Sequence, residues 1–308
     1  MVGYIHIGAP KCGSTALQQV ILANIDRLGA AGIRTPRSQD FAEGLAHNFT
    51  YGWRDNDEIR LNGANSDFDP AGGDILLSSE AFLACGASSP GLRALTKSFY
   101  QDELHILGVI RDPASLLEST WFQWMRTYRA FEKVRRTMNH ASLYFENYIN
   151  SDWFAKINQN WQNWRSYPSV ACFKEVSLGL DPFDPVDVLV EFLNRPLSND
   201  VEQERANVSI NGVTFRILKE YRNVPLRGYE DFVFQLERAM RDKGYGGYRF
   251  LSDKNALRVN HSACSLPLFR GFKDIRRDGP TAQDISKVEF DKLLEESKEI
   301  ARPYSRNP

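Results

Sequence analysis

The sequence lacks any apolar run of the roughly 18 residues that a membrane-spanning helix needs. We also expect no secretory leader, because the apolar segment that starts at Val2 runs directly into a glycine-rich stretch. The four cysteines lie far apart along the chain, without the close spacing of metal ligands. These absences predict a cytoplasmic protein with reduced thiols and no bound metal.

A large charge of one sign is missing as well. The formal net charge is −1 over 308 residues, so we expect no nucleic-acid partner, and any anion-binding site must be local. The composition, 42% hydrophobic and 25% charged, is that of an ordinary globular protein. Internal repeats, low-complexity tracts and flexible linkers are absent from the sequence, which predicts a single domain over residues 1–308.

The sequence does contain an alternation of short apolar segments and helical periods, which predicts an α/β fold. Segments rich in Val, Ile and Leu predict buried parallel strands at residues 2–8, 74–79, 104–110 and 169–174. Residues 32–36 are predicted to form a minor extended piece. Helices are predicted from Ser14 to Gly29 or Gly32, from Pro113, and over residues 153–166, 185–194, 210–222, 229–243 and 284–300. The last third is therefore mostly helical, and residues 37–73 are interpreted as a substrate-facing insertion.

Polar residues follow three of the predicted strands. The stretch "GAPKCGST" follows the first strand, "SSE" ending in Glu80 follows the second, and "RDP" starting at Arg111 follows the third. Because the carboxyl ends of parallel strands meet at one edge of a sheet, we expect these groups to line one crevice. Residues 8–15, called the glycine loop below, lead into the first helix. The start of that helix carries unpaired N–H groups and a partial positive charge, which favour a phosphate.

Each of these stretches also has a purely structural interpretation. The glycine loop is compatible with a strand-to-helix turn capped by serine, although two spaced glycines, a lysine and paired hydroxyls are more than a turn needs. Arg111 ends an apolar strand and needs a partner, which is either an anionic ligand or a carboxylate such as Asp112 or Glu118. Glu80 by itself is compatible with a cap on the next helix.

Two of these stretches together are similar to one enzyme family. "IGAPKCGSTALQ" resembles the 5′-phosphosulfate-binding loop of the sulfotransferases, and "VIRDPASLLEST" resembles their 3′-phosphate-binding motif, here Arg111 and Ser119. "DILLSSEAF" resembles a segment that supplies a carboxylate near the acceptor in bacterial and carbohydrate-type members. The resemblance covers residues 2–195. It implies a P-loop-like central parallel sheet flanked by helices.

The resemblance also implies a cofactor, 3′-phosphoadenosine 5′-phosphosulfate (PAPS), and no metal. The residues expected to hold its 5′-phosphosulfate are Pro10, Lys11, Cys12, Gly13, Ser14, Thr15 and Ala16. Arg111 and Ser119 are expected to hold the 3′-phosphate. Lys11 stands inside the glycine loop rather than after its second glycine, so we expect it to reach the oxygen that bridges phosphate and sulfur.

The implied reaction is in-line transfer of the sulfuryl group to a hydroxyl or amine of a sugar, glycolipid or small-molecule acceptor. Glu80 is the first choice for the general base and His47 the second, while His6 and His105 are interpreted as structural. Residues 119–136 mix aromatic and basic side chains. They form either an acceptor surface or a helix with a core stripe and a solvated basic face.

Two other functions stay open at this point. A phosphate-loop kinase shares the strand-to-helix anion site, but Ser14 stands where its lysine belongs. A non-catalytic nucleotide-binding module needs only the fold, and the presence of Lys11, Glu80 and Arg111 argues against it. The Arg-Lys-Gly lid of cytosolic sulfotransferases has no match, since neither "FRGF" nor the "RRDG" stretch around Arg277 fits it.

Overall fold

The computed structural model describes residues 1–9, 12–35, 73–80, 82–83, 103–126, 152–198, 211–221, 224, 226–275, 277 and 279–305. Pro10, Lys11, His47 and nearly all of the predicted insertion lie outside these residues. The chain divides into two compact units. The first is Met1–Asp112, Trp153–Asn207 and Leu266–Leu268, and the second is Pro113–Asp152, Val208–Ser265 and Phe269–Pro308. That the chain works as one domain stays a prediction.

A five-stranded parallel sheet with the order β2-β3-β1-β4-β5 forms the centre of the first unit. Its strands are β1 Val2–Gly8, β2 Ile33–Arg34, β3 Asp74–Ser78, β4 Glu103–Arg111 and β5 Val170–Leu178. The inner strands are apolar along most of their length because both faces are covered, and Ile5, Ile7 and Ile106 are almost fully buried. The predicted parallel α/β sheet is confirmed.

Nine α-helices lie in the described part of the chain. They are α1 Ser14–Ala23, α2 Ile25–Ala30, α3 Pro113–Arg126, α4 Trp153–Arg165, α5 Pro185–Leu193, α6 Gly212–Glu220, α7 Tyr229–Asp242, α8 Asp253–Ala263 and α9 Lys287–Ala301. The last third is mostly helical, as predicted. Helix α8 was not predicted, because its buried face includes the small side chains Ala256 and Ala263, which give a weak apolar period.

The first predicted helix is interrupted at Asn24. The side-chain Nδ2 of Asn24 donates to the Val20 carbonyl over 2.9 Å, and its Oδ1 accepts the N–H of Ser198 over 2.7 Å. This buried amide ties the end of α1 to a segment distant in sequence. The helical period continues through Asn24, so the period alone predicts one helix where the structure has two.

Gly108 in β4 carries the closest packing between the sheet and α4. A Cβ added at Gly108 would lie 2.5 Å from a ring carbon of Trp161, whose side chain is fully buried. We expect Gly108→Ala to lower the free energy of unfolding by about 1–3 kcal/mol, because the ring has to move in a filled core. Denaturant unfolding checks this result.

Gly29 provides the matched control. It lies in α2, and an added Cβ would have no heavy atom within 4 Å. Alanine favours a helix over glycine, so Gly29→Ala is expected to keep or raise stability. Equal unfolding free energies for the two variants would contradict the packing described for Gly108 and Trp161.

The second unit is helical in its described residues and is tied together by two buried polar side chains. Glu118 on α3 accepts the N–H groups of Phe250 and Leu251 through Oε1, at 2.5 and 3.0 Å. Its other oxygen pairs with Arg277 at 2.5 Å. Asn260 on α8 accepts the N–H of Ala114, in the first turn of α3, at 2.9 Å. The Asn260 bond joins α8 to α3, and the Glu118 bonds join α3 to Phe250, Leu251 and Arg277.

Candidate functional site

The carboxyl ends of three strands meet at one edge of the sheet. β1 lies between β3 and β4, and the parallel register pairs His6 with Ser78 and Gly8 with Val109. β3 ends at Ser78, two residues before Glu80, and β4 ends at Arg111. The prediction that these strand ends line one edge is therefore confirmed.

The glycine loop enters α1 through a left-handed glycine. Gly13 occupies the cap position with φ 76° and ψ 7°, and Ser14 is the first helical residue. The serine cap expected for a purely structural turn is therefore wrong, because Gly13 holds the cap position and has no side chain. The positive φ favours glycine here, and a Cβ on Gly13 would also lie 3.2 Å from the ring of Phe183, which would have to shift slightly.

The environment of Cys12 shows which charged groups surround the loop. Cys12 is fully buried, and burial raises the pKa of its thiol. The positive charge of Arg111 lowers this pKa, while the carboxylates of Glu80 and Asp112 raise it. The backbone N–H of Arg111 also donates to the thiol. The thiol therefore stays neutral, and a cation and two carboxylates lie near the loop.

The structure thus brings Cys12, Gly13, Ser14, Glu80 and Arg111 together in the first unit. Two further expected contacts, Thr15 and Ala16, lie half-buried in the first turn of α1. Ser119 is buried on α3 in the second unit. That Ser119 shares a phosphate with Arg111 stays a prediction, as do the roles of Pro10, Lys11 and His47, which lie outside the described residues.

Ser14 and His6 are buried polar residues at the base of the loop. Ser14 is 2% exposed, and within the described residues its Oγ has no hydrogen-bond partner. His6, fully buried in β1, has its Nδ1 2.8 Å from Ser78 Oγ. Burial lowers the pKa of His6 to about 3, so the ring is neutral. The sequence signal for His6 is a single polar residue in an apolar strand two positions before Gly8.

Glu118 and Arg277 form a buried pair whose partners the sequence did not identify. Glu118 was considered as a carboxylate for Arg111, and its two oxygens instead accept two backbone N–H groups and Arg277. Arg277 belongs to the "RRDG" stretch that matched no lid motif. Its side chain is 14% exposed, so it is packed into the second unit beside α3.

Within the described ranges, no helix has the length and apolar character needed to cross a membrane. In the same ranges no three histidine, cysteine or acidic side chains are grouped as a metal site would require.

Comparison with known proteins gives one family. A family model described as a sulfotransferase domain matches residues 4–244, which include the glycine loop, Glu80, Arg111 and Ser119. A comparison with curated proteins gives no match. The family match covers well over half of the chain, and its range begins in the strand that leads into the glycine loop. The chain therefore belongs to the sulfotransferase family.

Proposed function

We propose that this protein transfers the sulfuryl group of PAPS, in line, to a hydroxyl or amine of a sugar, glycolipid or small-molecule acceptor. The observation that carries the proposal is the arrangement around Cys12. There the start of α1, the cation of Arg111 and the carboxylate of Glu80 lie close together at the carboxyl edge of a parallel sheet. The family supports sulfuryl transfer in general.

The residues of the glycine loop fit a 5′-phosphosulfate. An added Cβ would lie 3.2 Å from Ser14 Oγ at Gly8 and 3.2 Å from the Phe183 ring at Gly13, so the loop packs tightly at both glycines. The buried Ser14 hydroxyl has an unused hydrogen-bond capacity within the described residues. The positive end of α1 favours a phosphate at the same place. Bound PAPS would supply the sulfuryl group, and the first turn of α1 would hold its phosphate.

Arg111 is proposed to recognise the 3′-phosphate together with Ser119. The 3′-phosphate distinguishes PAPS from ATP, so a cation dedicated to it selects the nucleotide. Arg111 stands at the end of β4, close enough to the loop for its charge to act on Cys12. Its planar guanidinium suits a phosphate because it donates several parallel hydrogen bonds.

Arg111→Ala is expected to weaken binding of adenosine 3′,5′-bisphosphate by about 10- to 100-fold, because charge-assisted hydrogen bonds are lost. Binding of adenosine 5′-monophosphate should change little, since it carries no 3′-phosphate. Calorimetry measures both affinities. Arg165→Ala is the control, because Arg165 is an exposed residue at the end of α4. Equal losses of affinity for both nucleotides would show that Arg111 does not bind the 3′-phosphate.

Lys11 and Glu80 are proposed to carry the chemistry. Negative charge develops on the departing phosphate oxygen, and a cation inside the loop stabilises it. The acceptor has to lose a proton as the new bond forms, which requires a base at the same edge of the sheet. Glu80 lies two residues after the end of β3 at that edge and is half-buried. His47 is the second choice for this base.

The acceptor class is proposed from residues 119–136, which mix aromatic side chains suited to sugar faces with basic ones. The deciding experiment incubates the protein with sulfur-labelled PAPS and a panel of sugars and small alcohols. Transfer of label to an acceptor supports the proposal. Transfer of phosphate from ATP with magnesium instead would identify a kinase, and nucleotide binding with neither transfer would identify a binding module.

A further inference from the structure

The space beside Gly8 is surrounded by polar atoms. A Cβ added there would lie 3.2 Å from Ser14 Oγ, 3.4 Å from His6 Nε2 and 3.5 Å from the Val109 carbonyl oxygen, its three nearest heavy atoms outside the adjoining chain. Ser14 and His6 are 2% and 0% exposed. Among the described residues, neither Ser14 Oγ nor His6 Nε2 has a hydrogen-bond partner. Two buried polar atoms therefore face one space at the base of the glycine loop.

The hydrogen bond at Nδ1 decides which nitrogen of His6 carries the proton. Nδ1 lies 2.8 Å from the hydroxyl of Ser78, which is 1% exposed. If the Ser78 O–H donates to Nδ1, its hydrogen is satisfied and Nε2 carries the imidazole hydrogen. In the opposite arrangement the Ser78 hydrogen finds no acceptor within the described residues, which is costly for a buried donor. The Nε2–H form is therefore favoured.

An Nε2–H group at this place needs an acceptor. The Val109 carbonyl already accepts the N–H of Ala9 at 3.3 Å, whereas Ser14 Oγ has an unused capacity. We propose that His6 is a positioning residue of the glycine loop: its Nε2–H holds the Ser14 hydroxyl oxygen and leaves the Ser14 O–H to donate to the bound anion. The two atoms are not hydrogen-bonded in this structure, so the proposal requires the Ser14 side chain to turn toward Nε2. The nature of the anion rests on the proposed function.

The resulting order of donors suits an anion. Ser78 donates to His6 Nδ1, His6 Nε2 donates to Ser14 Oγ, and the Ser14 hydrogen points to a phosphate oxygen. If Nε2 were the acceptor instead, the Ser14 hydrogen would point inward and its lone pairs would face the anion, which is repulsive. Glycine at position 8 keeps the space between the two side chains open, because a Cβ there would come within 3.4 Å of both.

The first test uses the ligand-free protein. Nitrogen-15 NMR at neutral pH is expected to show a pyridine-type Nδ1 and a pyrrole-type Nε2 at His6, and Ser14→Ala is expected to shift the Nε2 resonance. His105 is the internal control, since its Nε2 bonds Glu103 at the start of β4, and its resonances should not move. The opposite tautomer at His6, or an Nε2 resonance that ignores Ser14→Ala, overturns the proposal, whether or not a nucleotide binds.

The second test measures the affinity for adenosine 3′,5′-bisphosphate by calorimetry. His6→Phe is expected to lower this affinity about tenfold. The affinity of His6→Gln, whose amide N–H replaces Nε2–H, is expected to stay within about threefold of the wild-type value. Adding His6→Phe to Ser14→Ala should cost nothing further, because His6 acts through Ser14. Losses that multiply contradict the positioning role.

The two tests fail separately. If the wild type binds no adenosine bisphosphate, the proposed function fails, and the NMR result alone decides the role of His6. If His6→Phe does not fold, the wild-type tautomer and the affinity of His6→Gln still decide it.

Discussion

Glu80→Gln is expected to lower the turnover number by about 10²- to 10⁴-fold, the usual loss when a general base is removed. Glutamine keeps the size and polarity of the side chain but cannot accept the acceptor proton at neutral pH. Nucleotide affinity should stay near that of the wild type, because the base acts on the acceptor. Steady-state kinetics with labelled PAPS and a productive acceptor measures the loss.

Glu103→Gln is the control for this result. Glu103 is the first residue of β4, so it lies at the amino edge of the sheet, opposite the candidate site. Its side chain is about half exposed. Its variant is expected to turn over at the wild-type rate. A loss of less than about tenfold for Glu80→Gln would exclude Glu80 as the base and turn attention to His47.

Lys11→Ala is expected to lower the turnover number by about 10²- to 10³-fold, a typical loss when one stabilising donor is removed from a developing negative charge. Binding of adenosine 3′,5′-bisphosphate should weaken by less than about tenfold, because the contact gains most of its strength in the transition state. Turnover at saturating PAPS, together with calorimetry, separates the two effects.

Lys156→Ala is the matched control, since Lys156 is an exposed lysine on α4 in the same unit. It is expected to leave both turnover and binding unchanged. If Lys11→Ala instead weakened nucleotide binding a hundredfold and kept the wild-type turnover number, Lys11 would serve ground-state binding, and the role proposed for it in the transition state would be wrong.

Local patterns in the sequence were enough to predict the sheet and the edge at which the candidate site lies. β1, β3 and β4 are short apolar runs, and each is followed by polar residues, so a parallel arrangement places Glu80 and Arg111 on the same edge as the glycine loop. The loop itself has a recognisable order of glycine, lysine and hydroxyl residues. These features depend on neighbours in sequence, which is why they were predictable.

Features that depend on distant partners were not predicted. Asn24, where the predicted helix breaks, accepts the N–H of Ser198. The strand β5 continues to Leu178, where residues 174–178 pair with residues 107–111 of β4. Glu118 is engaged by Arg277 and by two backbone groups that follow α7 in the chain. In each case the sequence gives a residue type and tertiary contact decides its partner.

His6 illustrates the same limit in the site. A histidine inside an apolar strand was interpreted as structural, and its burial and its bond to Ser78 agree with that interpretation. Only the fold shows that its second nitrogen faces the space beside Gly8 together with Ser14. His6 lies in β1 and Ser14 begins α1, so their spacing along the chain does not predict that these atoms face the same space.

We propose that the glycine loop and Arg111 together select a nucleotide with a 3′-phosphate. Calorimetric titration of the wild type with adenosine 3′,5′-bisphosphate, ADP and ATP, each with and without magnesium, tests it most directly. We expect the bisphosphate to bind most tightly and magnesium to leave its affinity unchanged. Tighter binding of ATP that requires magnesium would contradict it.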